Sequence, residues 1–310
     1  MKILITGASG LVGSAIVNQY NTYSNNDEWI LLSSKDGNLT KEDDVQSIFK
    51  KHMPDIVIHL AANVGGLFKN MYKKTEMYED NILMNTLVLK YARIYKVKKI
   101  ITMLSTCIFP DGIEPITEPR LHEGPPHPSN EGYAYSKRMM ELHGRIIHTD
   151  YDIECIQLIP TNIYGPYDNF NLEDAHVIPA LIHRCYLAKQ NNEPFIVKGS
   201  GKPIRQFIYN YDLAKMILWC VYESVESGRY ICSPPSHYEL TIERVARSIA
   251  SCMDYEHAIQ FDTSYSDGQF KKTVEPNIVF SHIEFTDFDI AIKDTVDWFM
   301  AAYENGTARI

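Results

Sequence analysis

Lys2-Ile-Leu-Ile-Thr6-Gly7-Ala8-Ser9-Gly10-Leu11-Val12-Gly13 joins an apolar run to three glycines spaced 1, 4 and 7, followed by the stripe Ala15-Ile16-Val17. Such a run, a glycine turn and a helical stripe read as strand, tight turn and helix. Glycines at this junction let the backbone approach a pyrophosphate, whose charge the N–H groups hold. Outward from it the alternation repeats, with strands expected at 29–32, 56–60, 98–104 and 153–158 and helices at 41–51, 72–95 and 133–148. That order predicts an α/β fold, a Rossmann-type doubly wound parallel sheet. After Pro160 the chain turns to Asn, Gly, Pro and Asp among short apolar runs. We therefore expect residues 1–160 and 203–226 to form a dinucleotide-binding Rossmann domain, the second piece adding one more strand and helix to the sheet. A smaller, discontinuous C-terminal substrate-binding domain takes 161–202 and 227–310, over the carboxyl edge of the strands.

Length and composition are those of an ordinary soluble globular protein: 310 residues, 45% hydrophobic, 22% charged, formal net charge -9. The negative balance argues against a nucleic-acid partner. No apolar run approaches the roughly 20 residues that span a bilayer. Glycines interrupt the uncharged run from Ile3 to Val17, so a signal peptide is not expected. Six scattered cysteines without a close pair suggest no metal site and fit a reducing, cytoplasmic compartment.

Three further groups carry chemistry. At the end of the second strand an NAD enzyme places an acid on the ribose; Ser33-Ser34-Lys35 stands there instead and suits the 2′-phosphate of NADP. Tyr133 and Lys137 lie four apart on one helix face, where an ammonium lowers the pKa of a phenol and makes it a usable acid. Ser105, ending the strand between these motifs, can hydrogen-bond the carbonyl oxygen that Tyr133 protonates. His59, between Ile58 and Leu60 at a strand end, reads as structural.

The glycine spacing is that of extended short-chain dehydrogenase/reductases. From Met1 to about Thr273 the chain further resembles the GDP-L-fucose synthase family. The likeness rests on His59-Leu-Ala-Ala-Asn-Val-Gly-Gly-Leu67, Leu104-Ser-Thr-Cys-Ile-Phe-Pro110, Pro160-Thr-Asn-Ile-Tyr-Gly-Pro-Tyr-Asp-Asn-Phe170, His176-Val-Ile-Pro-Ala180, Arg205-Gln-Phe-Ile208 and Ser266-Asp-Gly-Gln-Phe-Lys-Lys-Thr273. The resemblance implies an NADPH-dependent 3,5-epimerase/4-reductase that converts GDP-4-keto-6-deoxy-D-mannose to GDP-L-fucose. It assigns catalysis to Ser105, Cys107, Tyr133, Lys137 and His176, with Cys107 and His176 moving the C3 and C5 protons. A thiol near about 8.5 and an imidazole near about 6.5 suit that task.

Cofactor contacts are implied for Gly7, Ser9, Gly10, Leu11, Val12, Gly13, Ser34, Lys35, Leu60, Ala61, Ala62, Pro160, Asn162 and Ile163, with Tyr133, Lys137 and His176. Substrate contacts are implied for Asn162, Arg184, Lys198, Arg205 and Lys272; Lys198 departs from the family, which usually has Trp there. A homodimer through the helices at 72–95 and 133–148 is implied as well. Related dehydratases carry Thr-Asp-Glu where this chain has Ser105-Thr106-Cys107, and simple 4-epimerases usually lack Cys107 and the His176 loop. Two alternatives stay open: a reductase of another 4-keto sugar nucleotide, of GDP-colitose or GDP-heptose type, and a non-catalytic cofactor-sensing protein.

Overall fold

The computed structural model describes residues 1–23, 26–267 and 270–310, with Leu67 and Phe68 as backbone alone. The first half alternates strand and helix: β1 (Lys2–Thr6), α1 (Leu11–Val17), β2 (Glu28–Leu32), α2 (Glu42–His52), β3 (Ile56–His59), α3 (Leu67–Tyr72), α4 (Lys74–Ile94), β4 (Lys99–Met103), α5 (Glu131–Tyr151) and β5 (Glu154–Pro160). The expected helix at 72–95 is α4, within two residues at either end; a further short helix, α3, precedes it and is separated from it by Lys73, which leaves helical geometry at φ -120° and ψ 40°.

The rest comprises β6 (Asn162–Tyr164), α6 (Val177–Asn191), β7 (Phe195–Lys198), β8 (Ile204–Tyr209), α7 (Asn210–Tyr222), β9 (Gly228–Cys232), β10 (Glu239–Thr241), α8 (Ile242–Cys252), β11 (Ile259–Asp262), β12 (Lys271–Lys272) and α9 (Phe288–Glu304). Among the described residues no helix is long and apolar enough to cross a membrane.

Six strands form one sheet in the order β2-β1-β3-β4-β5-β9, and every pairing is parallel. Helices cover both faces, which is why β1 and β3 read as unbroken apolar runs. Because successive side chains point to opposite faces, Ile3 and Ile5 pack with α1 and α7 while Leu4 packs with α2 and α4. Lys99, buried on β4, donates to the carbonyls of Cys220 at 3.0 Å and Glu223 at 3.1 Å, tying the end of α7 to the sheet.

A second layer holds β10-β8-β12, with β6 beside β8, and a separate pair β7–β11. Its core gathers Phe195, Phe207, Ile249 and Phe299 from β7, β8, α8 and α9. Two expectations about sheet membership are corrected here. β8 does not return to the large sheet; its Phe207 and Tyr209 are buried in the second core, and only the following α7 comes back. β9, expected in the second lobe, instead closes the large sheet, where β5 offers an open edge and Ile231 and Cys232 become fully buried. Strand order reverses between β1 and β3, and the carboxyl ends at such a point leave a crevice.

Candidate active site

A cleft of about 1100 Å³ occupies that crevice. Its floor is the glycine turn. Gly7 sits at φ +72°, and a Cβ on Gly13 would lie 2.4 Å from the Gly7 carbonyl oxygen, so the turn closes only with glycine at these positions. Gly10 caps α1 with no side-chain bond, leaving the first N–H groups beside the cleft surface formed by Ser9, Leu11 and Val12. This bare backbone cradle fits a dinucleotide diphosphate.

Leu60, Ala61 and Ala62 continue the lining, and a buried network fixes them. Thr6 Oγ1 accepts the Leu60 and Ala61 N–H groups at 3.2 and 3.1 Å. Its own proton then goes to His59 Nδ1 at 2.8 Å, so Nε2 carries the hydrogen donated to Asn85 Oδ1 at 3.0 Å. Burial brings His59 down to about 3 and keeps it neutral. The residue is structural, as its apolar flanks suggested.

At the end of β2, Ser33 and Ser34 line the cleft, together with Asn38 and Thr40, which the sequence reading did not single out. Lys35 is exposed and is not among the lining residues. Asp36 turns back to accept the Ser33 N–H and Oγ–H at 2.8 and 2.9 Å, and those bonds hold its carboxyl below the usual range. One of the two expected hydroxyls is thus engaged by a carboxylate.

The five candidate catalytic residues, Ser105, Cys107, Tyr133, Lys137 and His176, all line this cleft. Ser105 Oγ accepts the Cys107 N–H at 3.4 Å and caps the short turn 106–108 that follows β4. Helix α5 presents Tyr133 and Lys137 on one face. Two turns beyond Tyr133, buried Glu141 meets His122 at 2.9 Å and Arg229 of β9 at 3.3 Å, which anchors the helix. Lys137 Nζ donates to the Met103 carbonyl at 2.8 Å and stands 5.6 Å from the centroid of the Tyr133 ring. Burial lowers Lys137 to about 8 and raises Tyr133 above the phenol range. The lowering of the phenol expected from its lysine is thus outweighed by desolvation. Burial also raises Cys107, opposed chiefly by the charge of Lys272. His176 precedes α6 and is lowered by desolvation, with Asp174 pulling the other way.

Pro160, Asn162, Ile163 and Lys272 join the lining, and Asn162 Nδ2 donates to the Gln206 carbonyl at 2.9 Å across β6 and β8. Arg184, Lys198 and Arg205 are not lining residues of this cleft. Arg205 stands beside Lys272 in the β8–β12 register. Lys198 Nζ lies 4.5 Å above the ring of Tyr265, whose hydroxyl also acts on the charge of Arg184, held below the usual guanidinium range by burial. Gly268 and Gln269 of the last resemblance segment lie outside the described residues. Asp168 and Arg309 line the cleft too, without having been singled out in the sequence.

The profile of the NAD dependent epimerase/dehydratase family matches residues 3–232. GDP-L-fucose synthase of Dictyostelium discoideum is 46% identical, covering 99% of this chain and 97% of that protein. The chain belongs to the GDP-L-fucose synthase family. Within the family, the probable GDP-L-fucose synthase of Drosophila melanogaster is 41% identical, with 98% of each chain covered. The crystal structure of a GDP-L-fucose synthetase from Naegleria fowleri bound to NADP superposes with a TM-score of 0.94 at 44% identity, over 100% of this chain and 95% of that one.

Proposed function

We propose that this chain is an NADPH-dependent enzyme that inverts C3 and C5 of GDP-4-keto-6-deoxy-D-mannose and then reduces C4, yielding GDP-L-fucose. The observation that carries the reading is the convergence of Ser105, Cys107, Tyr133, Lys137 and His176 on the cleft floored by the glycine turn. Full-length likeness to synthases at 46% and 41% identity favours this product over the colitose and heptose alternatives. The intact set of proton-handling side chains disfavours a sensor.

A 4-keto group acidifies the protons on C3 and C5. In our reading Cys107 and His176 remove a proton from one face and return one to the other, a task that general acid–base groups perform at each centre. Ser105 donates a hydrogen bond to the C4 oxygen, and Tyr133 gives that oxygen its proton. When bound, NADPH would supply the hydride that C4 accepts. Lys137, about half ionised near pH 8, holds the nicotinamide ribose and replenishes charge beside the phenol. Arg205 and Lys272, adjacent across β8 and β12, bind the GDP diphosphate from the smaller lobe.

Two finer readings go with this one. α4 and α5 pack side by side and expose Leu83 at 49%, Ile94 at 46% and Ile146 at 44%, an apolar face suited to a twofold dimer. A cytoplasmic setting accords with six free thiols. The test of the function is incubation with GDP-4-keto-6-deoxy-D-mannose and NADPH, following nicotinamide absorbance and the stereochemistry of the product. Reduction without inversion, or no turnover, would overturn it.

A further inference from the structure

One wall of the cleft carries a carboxyl that the reaction above does not use. Asp168 is 5% exposed, and its Oδ1 accepts the Asn169 N–H at 2.7 Å. Its Oδ2 is buried without a hydrogen-bond partner. A buried acceptor left open in this way calls for a group that completes it. Burial raises the carboxyl to about 7, and the charge of Arg309 draws it back down.

Arg309 reaches the cleft from the segment after α9. Its carbonyl accepts the Phe170 N–H at 2.7 Å, and its backbone bridges Asn169, so it is fastened to the turn that holds Asp168. That turn is fastened in its own right to the glycine turn. Asn210 Nδ2 donates to the Pro166 carbonyl at 2.9 Å and to the Leu11 carbonyl at 3.0 Å. The cationic side chains among the lining residues are Lys137, Lys272 and Arg309. Lys137 is bonded to the Met103 carbonyl and Lys272 lies on β12 opposite Arg205, whereas Arg309 is fastened to the turn that Asn210 ties to the start of α1, next to the diphosphate cradle.

We propose that Arg309 binds the diphosphate of the dinucleotide, and that Asp168 is the positioning residue that holds its guanidinium in place. The inference rests on the NADPH reading of the cleft. A guanidinium fork matches phosphate oxygens in two places at once, and a buried carboxylate behind it limits the rotamers that a long side chain must give up on binding.

NADPH, 2′-AMP and GDP are titrated calorimetrically into the wild type and the variants Arg309→Gln, Arg309→Lys, Asp168→Asn and Arg309→Gln/Asp168→Asn. Loss of a charge-assisted phosphate contact should weaken NADPH about tenfold in Arg309→Gln. 2′-AMP, which has no diphosphate, and GDP should each stay within about twofold of wild type. Arg309→Lys should recover part of the loss. Asp168→Asn should weaken NADPH several-fold alone and add nothing in the Arg309→Gln background, a non-additivity that general destabilisation does not produce. NADPH binding as tight in Arg309→Gln as in wild type overturns the proposal, as does an equal loss for 2′-AMP or a loss confined to GDP. Failure of the wild type to bind NADPH would instead remove the functional reading and this inference with it.

Discussion

Lys272 and Cys107 line the same cleft and each answers to the other's charge: the ammonium draws the thiol toward its anion, and the thiolate supports the ammonium against the burial that disfavours it. Sequence likeness gives Lys272 to the substrate phosphates, but its charge also acts on the sulfur proposed to move the C3 and C5 protons.

Replacing Lys272 by Met should therefore slow epimerisation as well as weaken the nucleotide. Each unit by which the thiol rises costs about tenfold in thiolate at neutral pH. Solvent-deuterium incorporation at C3 and C5 should fall by about that factor, its pH profile should move to higher pH, and Lys272→Arg should restore most of it. An unshifted profile would mean that the sulfur works without the ammonium. Cys107→Ser should nearly abolish incorporation while leaving NADPH binding intact.

Tyr133→Phe should show the converse pattern. Deuterium still enters the sugar, but hydride transfer drops by roughly 10²–10⁴, the usual contribution of a positioned acid. Single-turnover oxidation of NADPH measures the loss; near wild-type rates would release Tyr133 from the role.

Cofactor choice should depend on Ser34 more than on Lys35, because Ser34 lines the cleft and Lys35 does not. Ser34→Asp should lower kcat/KM for NADPH by about tenfold or more relative to NADH, through repulsion of the 2′-phosphate. Lys35→Ala should change that ratio by only about twofold, the scale of an exposed charge. A larger effect at Lys35 would show that its side chain swings onto the phosphate.

Acid should destabilise the fold through His59. Its pKa is about 3 in the native state against an ordinary value of about 6.5, so between those limits the unfolded chain binds the extra proton. Stability from this group is present above about 6.5 and is lost as pH falls toward 3, with a slope of up to about 1.4 kcal/mol per pH unit. Urea melts of wild type and His59→Gln at several pH values should differ by that slope; parallel curves would refute it.

The dimer reading is checked at α4 and α5. Ile146→Glu places a charge on the exposed apolar face and should give a monomer by light scattering at micromolar concentration, with the fold retained. A wild-type monomer under the same conditions would remove the proposed interface.

The large sheet was legible because strands buried on both faces are continuous apolar runs, as in Ile3-Leu4-Ile5, and because glycine marks the first turn. The smaller lobe was less so. β8 and β9 each carry a buried apolar stretch, Phe207-Ile208 and Ile231-Cys232, and nothing local says which sheet offers the open edge. Within the site, residues defined by backbone spacing, such as Tyr133 and Lys137, could be read directly. Arg309 could not, since 141 positions separate it from Asp168 and only the folded chain brings them to one wall. The direction of the Tyr133 shift also escaped the sequence, because desolvation depends on burial that a spacing does not express.

Gly13 leaves no room for a Cβ against the Gly7 carbonyl whatever the cleft contains. A descendant of this fold that abandoned nucleotide chemistry would still keep Gly7 and Gly13, on pain of losing its first strand–helix corner. Divergence of activity should accordingly leave its mark at Ser105, Cys107, Tyr133 and His176 long before it touches these two glycines, and a catalogue of such proteins sorted by them would group them by architecture rather than by reaction.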